Sequence, residues 1–270
     1  MKQIKEVLLV LNDFENLETI LAKTFALAQK AKARVSLLYV YEKPLFSIDE
    51  LFKDKESIIN QAKIKEYLKK KVAKYSSENI AIIVKIDDTP SQVWDIVKDD
   101  QSFLIIHPYH KDISYSLSKE LKQNIFIIKN TQTTHKKAAL ITHSLTDIKQ
   151  TITKIQKLFD ITPILLYNFD YVPDAAAIDP ALSIGIDSNI ELLEQEEKLF
   201  LKFIQEHNLN GEFFINNLLG EVTLEEYCKE KSFDLIVYKK EEDTLFVDEN
   251  LNTLLEKLES DLFIESSFAI

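Results

Sequence analysis

Histidine and serine residues at two places in the 270-residue sequence have types and spacings that could support catalysis. His107 and His110 lie three residues apart in the run HPYH and, with Asp112, could hold a metal ion that activates water for hydrolysis. His143 precedes Ser144, and serine catalysis needs a base beside the hydroxyl. Adjacent residues of a strand point to opposite faces, however, so this pair is not expected to react together. We therefore favour a polar loop with surface histidines over a metal-assisted hydrolase, and we expect no enzymatic activity.

Glycine, which lets the backbone approach a phosphate closely, is scarce in this chain. There are three glycines, Gly185, Gly211 and Gly220, and all of them lie in the second half. The residues before Gly185 therefore cannot form a glycine-built phosphate loop.

The composition narrows the class of protein and the class of partner. The net charge of −11 argues against nucleic acid or an anionic membrane as a partner. The single cysteine, Cys228, excludes an internal disulfide and fits a reducing compartment. No run approaches the roughly 20 apolar residues that a membrane helix needs. We therefore expect a cytoplasmic protein in which Cys228 is a packing residue.

Two halves of the sequence repeat one pattern. The segment KEVLLVLNDFEN (5–16) resembles KKAALITHSLTD (136–147), and three further matches follow in the same order. The offset between matched positions stays between 128 and 132 residues; the matched pairs are Val7 and Ala138, Leu37 and Leu165, Asp88 and Gly220, and Phe103 and Asp234. We infer a tandem duplication with domains at 1–131 and 136–270, joined by a short polar linker.

Each half predicts five short strands that alternate with four amphipathic helices. The strands, such as VLLVL and FLIIH, are apolar on both faces, which is typical of a parallel sheet covered on both sides. We therefore predict an α/β fold of two tandem open parallel five-stranded sheets with helices on both faces. An apolar stripe of Ile64, Leu68, Val72 and Tyr75 predicts one helix, Trp94 is expected in the core, and Thr223 is expected to cap another helix. The irregular stretch 171–188 is interpreted as a flap or a short added helix.

This pattern is similar to the universal stress protein family in its tandem form, which has the adenine nucleotide alpha hydrolase-like fold. VLLVLNDFENLE resembles the opening strand of the family and its TDFSE-like turn, and LLYVYEKP resembles the second strand. SFLIIHPYH and SFDLIVYKK resemble the ADLIVVGSHG strand of the family. The resemblance covers nearly the whole chain and implies a stress-response regulator or a protein that binds a ligand or partner.

The resemblance also implies where a nucleotide would bind. Asp13 matches an aspartate that contacts adenine in ATP-binding members, Ser144 is its counterpart in the second half, and Gly220 stands where the family often has a glycine before its third helix. The glycine loop that holds the phosphates after the fourth strand is missing from both halves, so we expect no ATP binding in the usual family mode. Asp13 is also interpreted as a helix cap. An AMP or ATP sensor that uses Asp13 and an atypical loop is left as an alternative.

Dimers of the family commonly pair through their last strands, which correspond here to 125–130 and 262–267. Both segments are apolar and would leave an open sheet edge if unpaired. We therefore expect the two domains to form a pseudo-dimer within one chain. A small apolar ligand held between the domains, with 171–188 as its cover, is a further possibility.

Overall fold

The structure is a computed structural model that describes residues 3–42, 55–170, 186–216, 223–240 and 249–266. The strands are β1 Glu6–Leu11, β2 Arg34–Tyr41, β3 Ala81–Ile86, β4 Phe103–Pro108, β5 Asn124–Ile128, β6 Ala138–Thr142, β7 Ile164–Asp170, β8 Gly211–Asn216, β9 Leu235–Lys240 and β10 Asp261–Ser266. The helices are α1 Leu17–Ala31, α2 Lys55–Val72, α3 Thr89–Val97, α4 Lys111–Glu120, α5 Ile148–Phe159, α6 Ile186–His207, α7 Leu224–Lys231 and α8 Glu249–Lys257.

The strands form one sheet in the order β3-β2-β1-β4-β5-β10-β9-β6-β7-β8. All neighbours are parallel except β5 and β10, which pair antiparallel with Phe126 opposite Phe263. The predicted α/β class and the parallel five-stranded units are confirmed. The backbone groups along β5 and β10 bond to each other, so the two five-stranded units are joined into one ten-stranded sheet.

Helices cover both faces of the sheet and enclose two apolar cores. The first core lies under α1, α2, α5 and α6 and includes Leu21, Leu68 and Ile155. The second lies under α3, α4, α7 and α8 and includes Val93 and Leu254. The strands have apolar side chains on both faces of the sheet, so both faces must be covered by helices to be kept from water.

Two predictions about individual helices have opposite outcomes. In α2, Leu68 and Val72 are buried, and Ile64 packs against them as the apolar stripe predicts. Trp94 of α3 was expected in the core, but it is 42% exposed. The reason is that Val93 and Val97 already occupy the inward face of this short helix, and Trp94 follows Val93 by about 100° around the axis.

Helices α1 and α5 match each other closely. Seven buried positions of α1 coincide with those of α5 at an offset of 131 residues, and they include Lys23 and Lys154. Each helix is preceded by a residue in the left-handed region, Asn16 with φ 51° and Asp147 with φ 58°. Asn and Asp are the non-glycine residues that adopt this conformation most readily. The same local chemistry therefore begins both helices.

Predictions for Thr223, Cys228 and the stretch 171–188 can also be compared with the structure. Thr223 caps α7 in a capping box with Glu226, as predicted. Cys228 is buried, and burial raises its pKa to about 12, which fits a packing residue. In the stretch 171–188, residues 171–185 lie outside the described part of the chain, and α6 begins at Ile186. None of the described helices is both long enough and apolar enough to cross a membrane.

Candidate functional site

The carboxyl ends of β1, β2 and β4 form the edge of the first half-sheet where parallel α/β folds usually bind ligands. Asn12, which follows β1, donates from Nδ2 to Thr89 Oγ1 at 2.6 Å and to the Val40 carbonyl at 3.3 Å. The Thr89 amide in turn donates to Glu42 Oε1 at 3.3 Å. These hydrogen bonds join the ends of β1 and β2 to the start of α3.

Asp13 builds the turn between β1 and α1. Its Oδ1 accepts a hydrogen bond from the Glu15 amide at 2.8 Å, which is an Asx turn. The interpretation of Asp13 as a helix cap is wrong, because Asn16 occupies the cap position of α1. Asp13 is exposed at the edge of the sheet, and its carboxylate is held by this local turn.

His107 is buried within the second core and is not a surface histidine. It is 1% exposed, and its Nδ1 donates to the Pro108 carbonyl at 2.7 Å. Within the described residues its Nε2 has no hydrogen-bond partner. Burial lowers the pKa of His107 to about 4, so the ring is neutral at physiological pH. The prediction of a surface loop failed here because the apolar strand continues through this residue.

His110 lies at the cap position of α4, two residues beyond the end of β4. Its backbone amide donates to Ser114 Oγ at 3.2 Å, and its side chain makes no cap hydrogen bond. Within the described ranges, no group of three or more His, Cys, Asp or Glu side chains is placed to hold a metal ion. The structure therefore gives the pair His107 and His110 no third ligand in that part of the chain.

Carboxylates are concentrated at this edge of the first half-sheet. Asp88 caps α3 by accepting from the Ser91 amide at 3.0 Å, and Asp87 accepts from Gln92 at 2.7 Å. Together with Glu42 and Asp13 they give the edge a negative potential. A phosphate group placed here would meet like charge.

The carboxyl end of β6 is the corresponding edge of the second half-sheet. Ser144 Oγ accepts from the Thr146 amide at 3.1 Å, so Ser144 forms the same two-residue turn that Asp13 forms in the first half. His143 Nε2 lies 3.3 Å from the Tyr238 hydroxyl. His143 and Ser144 thus each contact a different neighbour. Gly220 lies outside the described residues.

The two edges face opposite directions. Because β5 and β10 run antiparallel, the carboxyl ends of the first half-sheet lie on one side of the molecule and those of the second half-sheet on the other. Asp13, His107 and His110 are thus brought to one edge, and Ser144 to the opposite edge.

Sequence reasoning missed a cluster of buried charges where the two halves meet. Lys23 of α1 donates to Asp261 Oδ2 at 2.5 Å, with 2% and 0% of the two side chains exposed. His135 Nε2 lies 2.8 Å from the same oxygen, and the amides of Lys129 and Asn130 donate to Asp261 Oδ1 at 2.8 and 3.1 Å. Burial opposes the charged form of Asp261, but the bonds from His135 and Lys23 outweigh it and lower its pKa.

The equivalent lysine of the second half forms a related contact. Lys154 of α5 lies 2.8 Å from Glu265 Oε1 and 3.0 Å from Asn124 Oδ1. Each lysine therefore reaches the first residue of the other half's last strand, which is Asp261 for Lys23 and Asn124 for Lys154. A usable signal was present in the sequence, namely a lysine at the same position on the apolar stripe of both helices.

Two more lysines bind helix ends across the same interface. Lys129 Nζ donates to the Leu255 and Leu258 carbonyls at the end of α8. Lys240 Nζ donates to the Ser118 carbonyl at 2.7 Å, at the end of α4. Burial lowers the pKa of both lysines, that of Lys129 to about 8. Cations at helix carboxyl ends are stabilised by the unpaired carbonyl groups there.

Comparison with known proteins identifies the architecture. No protein-family model and no curated protein sequence matches this chain. The crystal structure of a universal stress protein from Archaeoglobus fulgidus DSM 4304 is similar to it with a TM-score of 0.59 and 12% identity, covering 97% of this chain and 96% of that one. This chain has the universal stress protein fold. A structure described as a universal stress protein from Pseudomonas aeruginosa UCBPP-PA14 is similar with a TM-score of 0.52 and 12% identity, covering 97% and 92% of the two chains. Both likenesses to universal stress proteins extend over both halves of the sheet.

Proposed function

We propose that this chain is a tandem universal stress-type protein, with domains at 1–131 and 136–270, that acts in the stress response by binding a partner or ligand and does not bind ATP in the usual family mode. The fold and its extent over the whole chain support the class of protein. The matched burial of α1 and α5 supports the tandem form.

The short connection between β4 and α4 is the observation that carries the ATP part of the proposal. Only Tyr109 and His110 separate Pro108, the last residue of β4, from Lys111, the first residue of α4. A glycine loop able to surround phosphates cannot be formed by two residues, neither of which is glycine. The helix thus begins where the family's phosphate loop would start.

The charges of the same edge support the proposal further. Asp13, Glu42, Asp87 and Asp88 lie around the ends of β1, β2 and β3. These side chains are exposed, and a phosphate group placed among them would be repelled by like charge. In the second half, the segment after β9 contains Glu241, Glu242 and Asp243, which are again carboxylates.

Isothermal titration with ATP, ADP and AMP, each with and without magnesium, tests the ATP part. We expect no saturable heat at millimolar nucleotide, while an ATP-binding universal stress protein in the same buffer gives a normal isotherm. Asp13→Ala is the matched variant. Saturable binding that Asp13→Ala abolishes would refute the proposal and favour the nucleotide sensor instead.

Deletion of the gene in its host tests the stress part. We expect lower survival under starvation or oxidant and unchanged exponential growth, with both the wild-type chain and Asp13→Ala restoring survival. Unchanged survival under every stress tested would contradict this assignment, whatever the nucleotide titrations show.

A further inference from the structure

Two cavities lie where α1 and α5 bring the halves together. The larger has a volume of about 360 Å³ and is lined by Ile4, Ala31, Lys149, Thr153, Lys157 and Leu158, among others. We call it the lysine-rimmed cavity, because Lys149 and Lys157 are exposed side chains at its wall. The smaller has a volume of about 180 Å³ and is lined by residues that include Lys23, Leu27, Lys30, Thr134 and His135.

The two cavities occupy equivalent places in the two halves. At the offset of 131 residues that aligns α1 with α5, Ile4 corresponds to His135 and Leu158 corresponds to Leu27. Lys154 of the larger cavity likewise corresponds to Lys23 of the smaller one. The two cavities therefore lie at equivalent places in the two halves, and the residues that line them can be compared position by position.

Both lysines of the smaller cavity are paired with a carboxylate. Lys23 and His135 both contact Asp261, and Lys30 lies 2.5 Å from Asp160. The His135 ring also packs edge-on against Phe159, with ring centroids 5.5 Å apart. Its two lysines therefore leave little positive charge for a ligand.

The lysine-rimmed cavity has uncompensated positive charge. Within the described residues, neither the Lys149 nor the Lys157 ammonium group forms an ion pair. The positions that correspond to them in α1 are Glu18 and Ala26. The second half thus has two lysines where the first half has an acid and a small apolar residue. Lys154, the third lysine in the wall, is neutralised by Glu265.

We propose that the lysine-rimmed cavity binds a small organic anion with an apolar body, of the class of medium-chain monocarboxylates. Ile4, Ala31 and Leu158 supply apolar wall for the hydrocarbon, and Lys149 and Lys157 supply ammonium groups for the carboxylate. The volume lies in the range of small-molecule sites, which are mostly apolar with a few polar groups that fix orientation. The charge therefore selects an anion, and the apolar wall selects a hydrocarbon body.

This site is separate from the carboxyl-end edge of the first half-sheet. It lies at the amino end of β1, where Ile4 precedes the strand, and not at the carboxyl end, where Asp13 follows it. The nucleotide titrations therefore do not decide whether an organic anion binds here.

Calorimetry with a head-group series on the full chain tests the proposal. Decanoate is the probe, decanol is its uncharged counterpart, and decylammonium is its cationic counterpart, all below their micelle concentrations. We expect decanoate to bind with one site per chain, decanol at least about tenfold more weakly, and decylammonium without saturation. Equal affinity for the three compounds, or no saturable binding of decanoate, would overturn the proposal.

Variants of surface residues locate the site without disturbing the fold. Lys149→Gln with Lys157→Gln should weaken decanoate binding at least about tenfold, and Thr153→Trp should abolish it by filling the cavity. Lys30→Gln, in the smaller cavity, is the matched control and should leave the affinity unchanged. Circular dichroism verifies that each variant is folded. If decanoate still binds to Thr153→Trp, or if Lys30→Gln weakens its binding as much as the double variant does, the anion binds elsewhere and the assignment is refuted.

Discussion

Removing the buried ammonium of Lys23 should destabilise both halves of the molecule together. Lys23→Met removes the ammonium group that contacts the Asp261 carboxylate, whose side chain is 0% exposed. Breaking a buried ion pair by removing one partner typically costs about 3–5 kcal/mol, since the remaining charge cannot regain water. His135 and the amides of Lys129 and Asn130 still bond to Asp261, so the cost should fall near the lower end of this range.

Urea unfolding at neutral pH measures this cost. Trp94, the single tryptophan, lies in α3 of the first half and reports on that half by fluorescence, while far-ultraviolet circular dichroism reports on the whole chain. We expect both transitions to move together to lower urea in Lys23→Met. The exposed pair between Lys30 of α1 and Asp160 at the end of α5 also joins the two halves, and Lys30→Met should cost no more than about 1 kcal/mol.

The double variant isolates the ion pair itself. Asp261→Asn gives the strand the same residue type that begins β5, where Asn124 contacts Lys154. Lys23→Met with Asp261→Asn should cost clearly less than the sum of the single variants. A Lys23→Met cost no larger than that of Lys30→Met, or fluorescence and dichroism transitions that separate, would refute the view that this buried pair couples the halves.

Two further predictions concern the sheet. His107 binds a proton more weakly when folded, with a pKa of about 4 against about 6.5 when unfolded, so the free energy of unfolding should fall by about 3 kcal/mol from neutral pH to about pH 4 through this residue. Comparison with His107→Leu checks this, because the variant should show a flatter pH profile; identical profiles would contradict it. Gly211→Ala should destabilise by about 1–3 kcal/mol, because the added Cβ would lie 2.8 Å from the Leu165 carbonyl oxygen and from Phe200 Cζ. Adding Phe200→Leu in urea unfolding should recover only part of the loss, and full recovery would show that the backbone contact is harmless.

The strands and helices could be predicted because their periodicity is a local property of the chain. Short continuous apolar runs such as VLLVL, bounded by polar turns, indicate strands buried on both faces, and the stripe through Leu68 and Val72 indicates a helix face directed to a core. Trp94 shows the limit of this reasoning. Which of two adjacent apolar residues faces inward depends on the packing of a short helix, and here Val93 faces inward.

The sequence could predict where the candidate site residues lie in the fold, but not which hydrogen bonds their side chains form. Position 13 and position 144 were matched correctly at the ends of equivalent strands, but their shared turn depends on a hydrogen bond to the amide two residues later. The Lys23–Asp261 pair joins residues 238 positions apart, and no local pattern in either segment specifies the other. Such pairs become visible only when the order of strands is known.

The pairing of β5 with β10 inside one chain changes how the interface responds to protein concentration. Two separate chains that met through these strands would dissociate on dilution, since their association follows mass action. Here the two strands belong to one polypeptide, and their effective concentration is set by the connection between them and not by how much protein the cell contains. The buried contacts of Lys23, Lys154 and Lys129 should therefore persist equally in a cell that holds a few copies of the protein and in one that holds many thousands.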